Sequence, residues 1–185
     1  MAGIYALEGV LNTSEQYHQP ILEALCAFVR DVTRTYTGEG PPATDIQAAL
    51  TVIGRRKSKF NERSLRLENA HIHYADLRGA YLSGAVLSGA NLSSAVLWDA
   101  DLSGALADDT NLSYADLTGA HLGGAVLAVA KLGGTDANLT DANLSVADLS
   151  GTQITQVQLD QACGTDAKLD PGLTLKPCST SPPRK

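Results

Sequence analysis

The sequence predicts an all-β solenoid behind a short run of α-helices, and three observations carry that reading. Leu or Ile recurs every five residues through the middle of the chain, Ala and Leu are in large excess, and composition and charge change together near residue 65. Of 185 residues, 26 are Ala and 26 are Leu, and nine are aromatic. A domain of this length ordinarily fills its core with varied large side chains, so the bias points to a long helix, a coiled coil or a short repeat.

The period decides among these. The marker residues are Leu67, Ile72, Leu77, Leu82, Leu87, Leu92, Leu97, Leu102, Ala107 in place of Leu, then Leu112, Leu117, Leu122, Leu127 and Leu132. A second run follows at Leu139, Leu144, Leu149, Ile154 and Leu159, making fourteen units and then five. Two residues before nearly all of them stands a small residue, as in Ala75-Asp76-Leu77 and Ala90-Asn91-Leu92. On an α-helix, at about 100° per residue, a five-residue step smears the leucines around the cylinder. On a flat strand an odd step sends them to alternate faces. A chain that turns a corner once per unit keeps Ala and Leu inward on every side, sets Asp or Asn and Ser or Thr outward, and puts Gly or Ser at the corner. That is a solenoid with an Ala/Leu core.

Residues 1–64 read as helical. Ile21, Leu22, Leu25, Cys26, Phe28, Val29 and Val32 follow helix spacing, Pro20 suits a first turn, and the Gly-Glu-Gly-Pro-Pro run at 38–42 ends the pattern. Thr44-Asp45-Ile46-Gln47 predicts a capping box opening a second helix that runs to about Lys57. The role assigned to the segment is to cap the solenoid, whose open end exposes unpaired strand groups. At the far end, Leu159 to Gly164 and the tail close the last coil, and residues after Pro177 read as disordered. The expected organisation is 1–64 helical cap, 65–162 solenoid, 163–185 C-terminal cap and tail.

The five-residue motif, in register nineteen times over residues 65–162, resembles the pentapeptide repeat family. The resemblance implies a right-handed quadrilateral β-helix with four units per coil. That gives nearly five coils and a rod roughly 23 Å long at about 4.8 Å per coil. The seven-residue step from Leu132 to Leu139 then predicts a bulge at residues 133–136. Ile4-Tyr5-Ala6-Leu7-Glu8 and Thr44 to Leu50 resemble a segment that precedes the repeats in some bacterial members, where membrane spans can lie upstream. The chain is therefore read as either a soluble variant or a truncated one.

Charge and cysteines narrow the function classes. The net charge of −6 and a pI near 5.1 argue against a direct nucleic-acid binder. The segment nets are 0 for residues 1–64, −8 for 65–162 and +2 for 163–185. No stretch has the about 18 apolar residues of a membrane span, and the Met1 region lacks a signal pattern. Cys26, Cys163 and Cys178 are odd in number and widely spaced, which reads as reduced thiols in a cytoplasmic protein, with Cys163 a buried small hydrophobe.

No catalytic constellation, cofactor motif or metal site stands above background. The G-x-G-x-x-A fit at 38–43 contains two prolines and reads as a linker; the calcium-loop likeness at 136–141 lacks its Gly and closing Glu. His71 and His73 flank inward Ile72 and are expected outward, as solvated histidines rather than metal ligands.

Function is therefore sought on the outer surface, where residues twenty apart stack in columns. Val86, Leu106 and Val126 stand where the motif expects Asp or Asn and form an apolar stripe; Val96 and Trp98 mark a second face. Such a stripe is an interface if exposed, covered either by the chain's own helices or by a second copy or foreign partner. The expectation is a non-enzymatic scaffold for protein–protein interaction. The family resemblance implies an alternative, a DNA-mimicking binder of DNA gyrase, for which Asp76, Asp99, Asp101, Asp108, Asp109 and Asp116 are the candidate acidic surface.

Overall fold

The computed structural model describes residues 2–36, 38, 40–56, 64–133 and 137–179. Three helices come first: α1 (Ala2–Thr13), α2 (Glu15–Thr33) and α3 (Thr44–Arg55), packed on one another through Leu11, Leu22, Leu25, Val29, Ile46, Leu50 and Ile53. Helix α2 starts five residues before Pro20, at the extended N-cap Ser14, so Pro20 sits inside the helix and not in its first turn. Its ring has no N–H to offer the Gln16 carbonyl, a cost that the buried face of α2 outweighs.

The capping box expected at Thr44 does not form. Ala43 is the N-cap of α3 and makes no side-chain bond. The Gln47 side chain is engaged elsewhere, donating to the Asp76 carbonyl at 2.8 Å and accepting from the Asp76 N–H at 3.0 Å. A helix terminus exposed to water can be satisfied by water, whereas a solenoid edge covered by a helix needs protein partners. Helix α3 ends at Arg55; the expected end at Lys57 lies outside the described residues.

Each five-residue unit forms one side of a coil. Parallel bridges join Val86 to Leu106, Asn91 to Asn111, Val96 to Asp116 and Asp101 to His121, so a coil takes twenty residues, or four units. Among the described residues the pairing consists of single-residue bridges and not longer strands, because the chain turns immediately after each one. Around Val86 the bonding is complete: its N–H donates to Leu65 at 2.8 Å, Leu87 donates to Leu106 at 2.7 Å, and Gly89 donates to Asp108 at 3.0 Å. Ala90 then donates back to Leu87 at 2.8 Å, closing the corner. Gly89, with φ 69°, holds the positive-φ third position that such a turn requires.

The core is as the pattern predicts. Ala and Leu alternate inward along every side, and Ala107 is buried at 3% exposure. On the same coil Thr110 replaces an Ala, fully buried, and its hydroxyl donates to the Leu87 carbonyl at 2.9 Å. The two extra residues shift the bridge spacing from twenty at Asn111–Lys131 to twenty-two at Asp116–Asn138. Of the bulge expected at 133–136, residues 134–136 lie outside the described residues.

The C-terminal end departs from the repeat. Leu159, counted as the nineteenth unit, is buried on the six-residue helix α4 (Gln156–Gln161). Here a capping box does form, between Thr155 and Gln158. The Gln158 amide also donates to the Leu132 and Ala137 carbonyls, on either side of the two-residue insertion, at 2.8 and 3.1 Å. Beyond α4 the chain doubles back, and Leu169, Leu173 and Leu175 pack on the core.

The cysteines are not three reduced thiols. Cys163 and Cys178 form a disulfide across a separation of 15 residues, while Cys26 is free and buried. Cys163 is bridged to Asn143, and Gly164 donates to the Lys176 carbonyl at 2.8 Å, which returns the tail to Cys163's side. Spacing along the sequence does not register that reversal. Cys178 and Ser179, expected to be disordered, lie in this docked tail; residues 180–185 lie outside the described residues.

Candidate interaction surfaces of the solenoid

The first coil offers backbone groups that no earlier coil can pair, and the N-terminal segment reaches them on all four sides. Arg30 donates to the Arg66 carbonyl. The His71 N–H donates to Thr33 Oγ1 at 3.1 Å. Gln47 takes both groups of Asp76. The Tyr81 N–H donates to the Gly54 carbonyl at 2.9 Å, and Arg56 donates to the Tyr81 carbonyl. A Cβ on Gly54 would stand 2.9 Å from that of Ala80, so glycine is what allows α3 to come this close. The helices thus bond to residues 66–81, at the end of the solenoid, and not along its side.

That arrangement bears on what lies over the stripe. Arg66, Val86, Leu106, Val126, Asp148 and Lys168 form one continuous bridged column. Leu106 is 44% exposed, and Val86 and Val126 are half-buried by their neighbours in the ladder. Among the described residues, the hydrogen bonds from the helices to the solenoid reach Arg66 at the start of this column and leave Leu106 exposed. On one flank Asp108 accepts from the Ser88 hydroxyl at 2.6 Å, and exposed Asp109 holds the corner with φ 53°. On the other flank Gly84, Gly104 and Gly124 have open space where a side chain would stand. At the far end Asp148 pairs with Lys168 at 3.1 Å. The Ser150 hydroxyl and amide, then Lys168, hold the Asp148 carboxyl down at about 2.

The Val96 face carries the aromatic candidates. Trp98 is 46% exposed, and Asp76, Val96, Asp116 and Asn138 form its bridged column. Asp76 is tied to Arg78 at 2.7 Å, and that hydrogen bond lowers its pKa. Burial works against the Asp116 charge, but the Thr118 hydroxyl, the Trp98 indole, the Thr118 amide and Asn138 outweigh it and keep the carboxyl below its usual range. The remaining acidic candidates lie elsewhere: Asp99 at the corner of this face, Asp101 bridged to His121 on the next, and Asp108 and Asp109 beside the stripe. The six carboxylates are therefore spread over three faces.

His71 is half-buried and His73 buried, so neither is the solvated histidine expected. His73 is buried and donates from Nε2 to the Gly38 carbonyl at 2.8 Å, with its ring stacked on Tyr36. His71 lies 3.2 Å from the Tyr36 carbonyl. The connection between α2 and α3 covers both. Among the described residues no group of three or more His, Cys, Asp or Glu is placed to hold a metal ion, and no helix is long and apolar enough to cross a membrane. Burial pushes the Cys26 thiol up to about 11, which keeps it protonated and unreactive.

Sequence reasoning missed the corners. Tyr114, Val129 and Val146 occupy positive-φ corner positions and are 60%, 57% and 64% exposed. The available signal was a large apolar residue where the motif expects Gly or Ser. Val129 extends the stripe face toward Asp109, whose corner column it shares.

No curated protein matches the chain. Among solved structures, the pentapeptide repeat protein Rfr23 from the cyanobacterium Cyanothece 51142 is 25% identical over 63% of this chain and 67% of its own, with a TM-score of 0.39. HetL from Nostoc sp. strain PCC 7120, a pentapeptide repeat protein involved in heterocyst differentiation regulation, is 31% identical over 56% of this chain and 55% of its own, with a TM-score of 0.26. Full-length QnrB1, a plasmid-mediated fluoroquinolone resistance protein, is 19% identical over 60% of this chain and 82% of its own, with a TM-score of 0.22. This chain thus spans about half the length of HetL and 67% of Rfr23. The family model for pentapeptide repeats matches residues 70–106, 85–124, 108–136 and 135–163, together more than half the chain. The five-residue register, the twenty-residue bridge spacing and that match agree, and the chain belongs to the pentapeptide repeat family, whose members fold as right-handed quadrilateral β-helices.

Proposed function

We propose that this chain is a non-enzymatic scaffold for protein–protein interaction. The coils that follow residue 65 present partner-binding faces on their sides, α1–α3 shield one end, and α4 with residues 163–179 shields the other. The observation that carries the reading is Leu106, 44% exposed in the column where the motif otherwise sets Asp or Asn. Family membership supports it, since pentapeptide repeat proteins are generally structural or interaction proteins. The filled Ala/Leu interior supports it too, because a packed core leaves the outer faces as the working surface.

The gyrase-binding reading draws less support. A substitute for duplex DNA needs a continuous anionic ridge, and here the carboxylates are divided among three faces while Val96 interrupts the Asp76–Asp116 column. The Cys163–Cys178 pairing favours an oxidising compartment over the cytoplasm.

The test is photo-crosslinking from one position on each face: Val126, Asn111, Trp98 and His121, in the full chain expressed in its native cell. One face is expected to capture a discrete partner well above the other three. Equal background from all four overturns the scaffold reading.

A further inference from the structure

We infer that the Val86–Leu106–Val126 face docks an amphipathic, basic α-helix of another protein, a reading that rests on the scaffold role proposed above. Three properties of the face select that occupant.

The first is spacing. Coils stack about 4.8 Å apart, so the three apolar side chains span about 10 Å along the rod. A helix lying along the rod advances about 5.4 Å per turn, and its residues at i, i+4 and i+7 span about 10.5 Å. One apolar side chain then meets each coil. An extended strand repeats its face every 6.6 Å or about that, and falls out of step within two residues of one face.

The second is charge. Asp108 and Asp109 border the stripe on one side, on a solenoid segment whose net charge is −8. A Lys or Arg on the matching flank of the helix meets them at the rim, where opposite charge steers encounter and sets orientation. The third is relief: Gly84, Gly104 and Gly124 leave the other flank bare, so the helix can settle against backbone.

A second copy of this chain suits the face less well. A two-fold axis across the rod, centred on Leu106, sets Asp108 against itself. A two-fold along the rod brings Leu106 onto Leu106 but lays Asp108 and Asp109 over the bare glycine flank, which offers no cation to meet them.

The probe is a synthetic peptide of about eighteen residues, long enough to cross the face, with Leu at helix positions i, i+4, i+7 and i+11 and Lys along one flank. It is labelled and titrated by fluorescence anisotropy against the full-length oxidised chain. Micromolar affinity is expected, because a single helix buries well under the roughly 1,600 Å² of a standard interface. Added salt should weaken binding. Leu106→Asp, and separately Asp108→Lys with Asp109→Lys, should each cost about tenfold or more. A scrambled peptide of the same composition should bind equally poorly. Trp98, the single tryptophan, stands on the Val96 face and should keep its emission unchanged. Leu106 and Asp109 are exposed and Asp108 is half-buried, so melting curves matched to wild type are used to establish that the variants fold.

Indifference of the affinity to both variants, equal binding of the scrambled peptide, or a shift in Trp98 emission overturns the inference. So does a concentration-dependent dimer that competes with the peptide, which assigns the face to a second copy. The cross-linking experiment judges the scaffold reading separately: a partner captured from Trp98 or His121 and not from Val126 upholds that reading and removes this one.

Discussion

Replacing both Cys163 and Cys178 with Ser should cost the fold about 3 kcal/mol, the loop-closure value for a link of some 15 residues. The separation in this chain is 15. The tail it secures has further attachments: Gln156 exchanges two hydrogen bonds with Thr174, at 2.9 and 3.0 Å, and Lys168 continues the Asp148 column. These contacts should hold the reduced tail in place on average, so the double variant keeps its native circular dichroism. Its urea midpoint falls, and its melting temperature drops by about 6–12 °C, taking 2–4 °C per kcal/mol for a chain of this size. Reductant supplies the control, shifting the wild type by the same amount and leaving the double variant where it is. The docked tail is expected to unfold together with the coils it covers. A loss under about 1 kcal/mol, with hydrogen exchange accelerated only in residues 163–179, would falsify it and make the tail a separately fraying unit.

Three further outcomes are expected. Gln47→Ala removes both bonds to Asp76 and should destabilise by about 1–2 kcal/mol in urea unfolding; a neutral result removes the side chain from the account of how α3 is held. Ala107→Leu restores the motif residue between Leu87 and Leu127 and should raise stability by about 1 kcal/mol; a loss means that Thr110 already fills the space. Asp148 has its carboxyl held at about 2 against an ordinary 3.8, so the stability it contributes is present above the ordinary value and disappears as pH falls toward 2. The gap between wild type and Asp148→Asn should therefore close between about pH 4 and pH 2, and a constant gap refutes the assignment.

How much of this was legible in sequence depends on whether the signal was periodic. The five-residue return of Leu yields the inward and outward positions directly, and Leu106 is exposed where the motif predicts an outward residue. The seven-residue step likewise marks where the bridge spacing grows from twenty to twenty-two. What failed was each inference that treated a local motif apart from its neighbours. Thr44 to Gln47 carries a capping pattern, yet an unpaired backbone edge on the solenoid competed for the same Gln47 side chain and won. His71 and His73 do point outward from the coil, but the connection between α2 and α3 lies over them. The spacing of Cys163 and Cys178 suggests two isolated thiols, because nothing along the chain marks the reversal that joins them.

The way the helices hold the first coil bears on how long such a rod can be. They grip Arg66, His71, Asp76 and Tyr81 largely through backbone N–H and C=O groups, one position per side, and every later coil presents the same groups at the same places. Those backbone bonds are blind to which coil they meet, while the side-chain contacts of His71, His73 and Glu68 stay with the first coil. Twenty residues could be spliced into or out of the middle without altering either end, as sections are added to a ruler whose end fittings stay the same. The number of coils is then free to follow the size of whatever the faces must span.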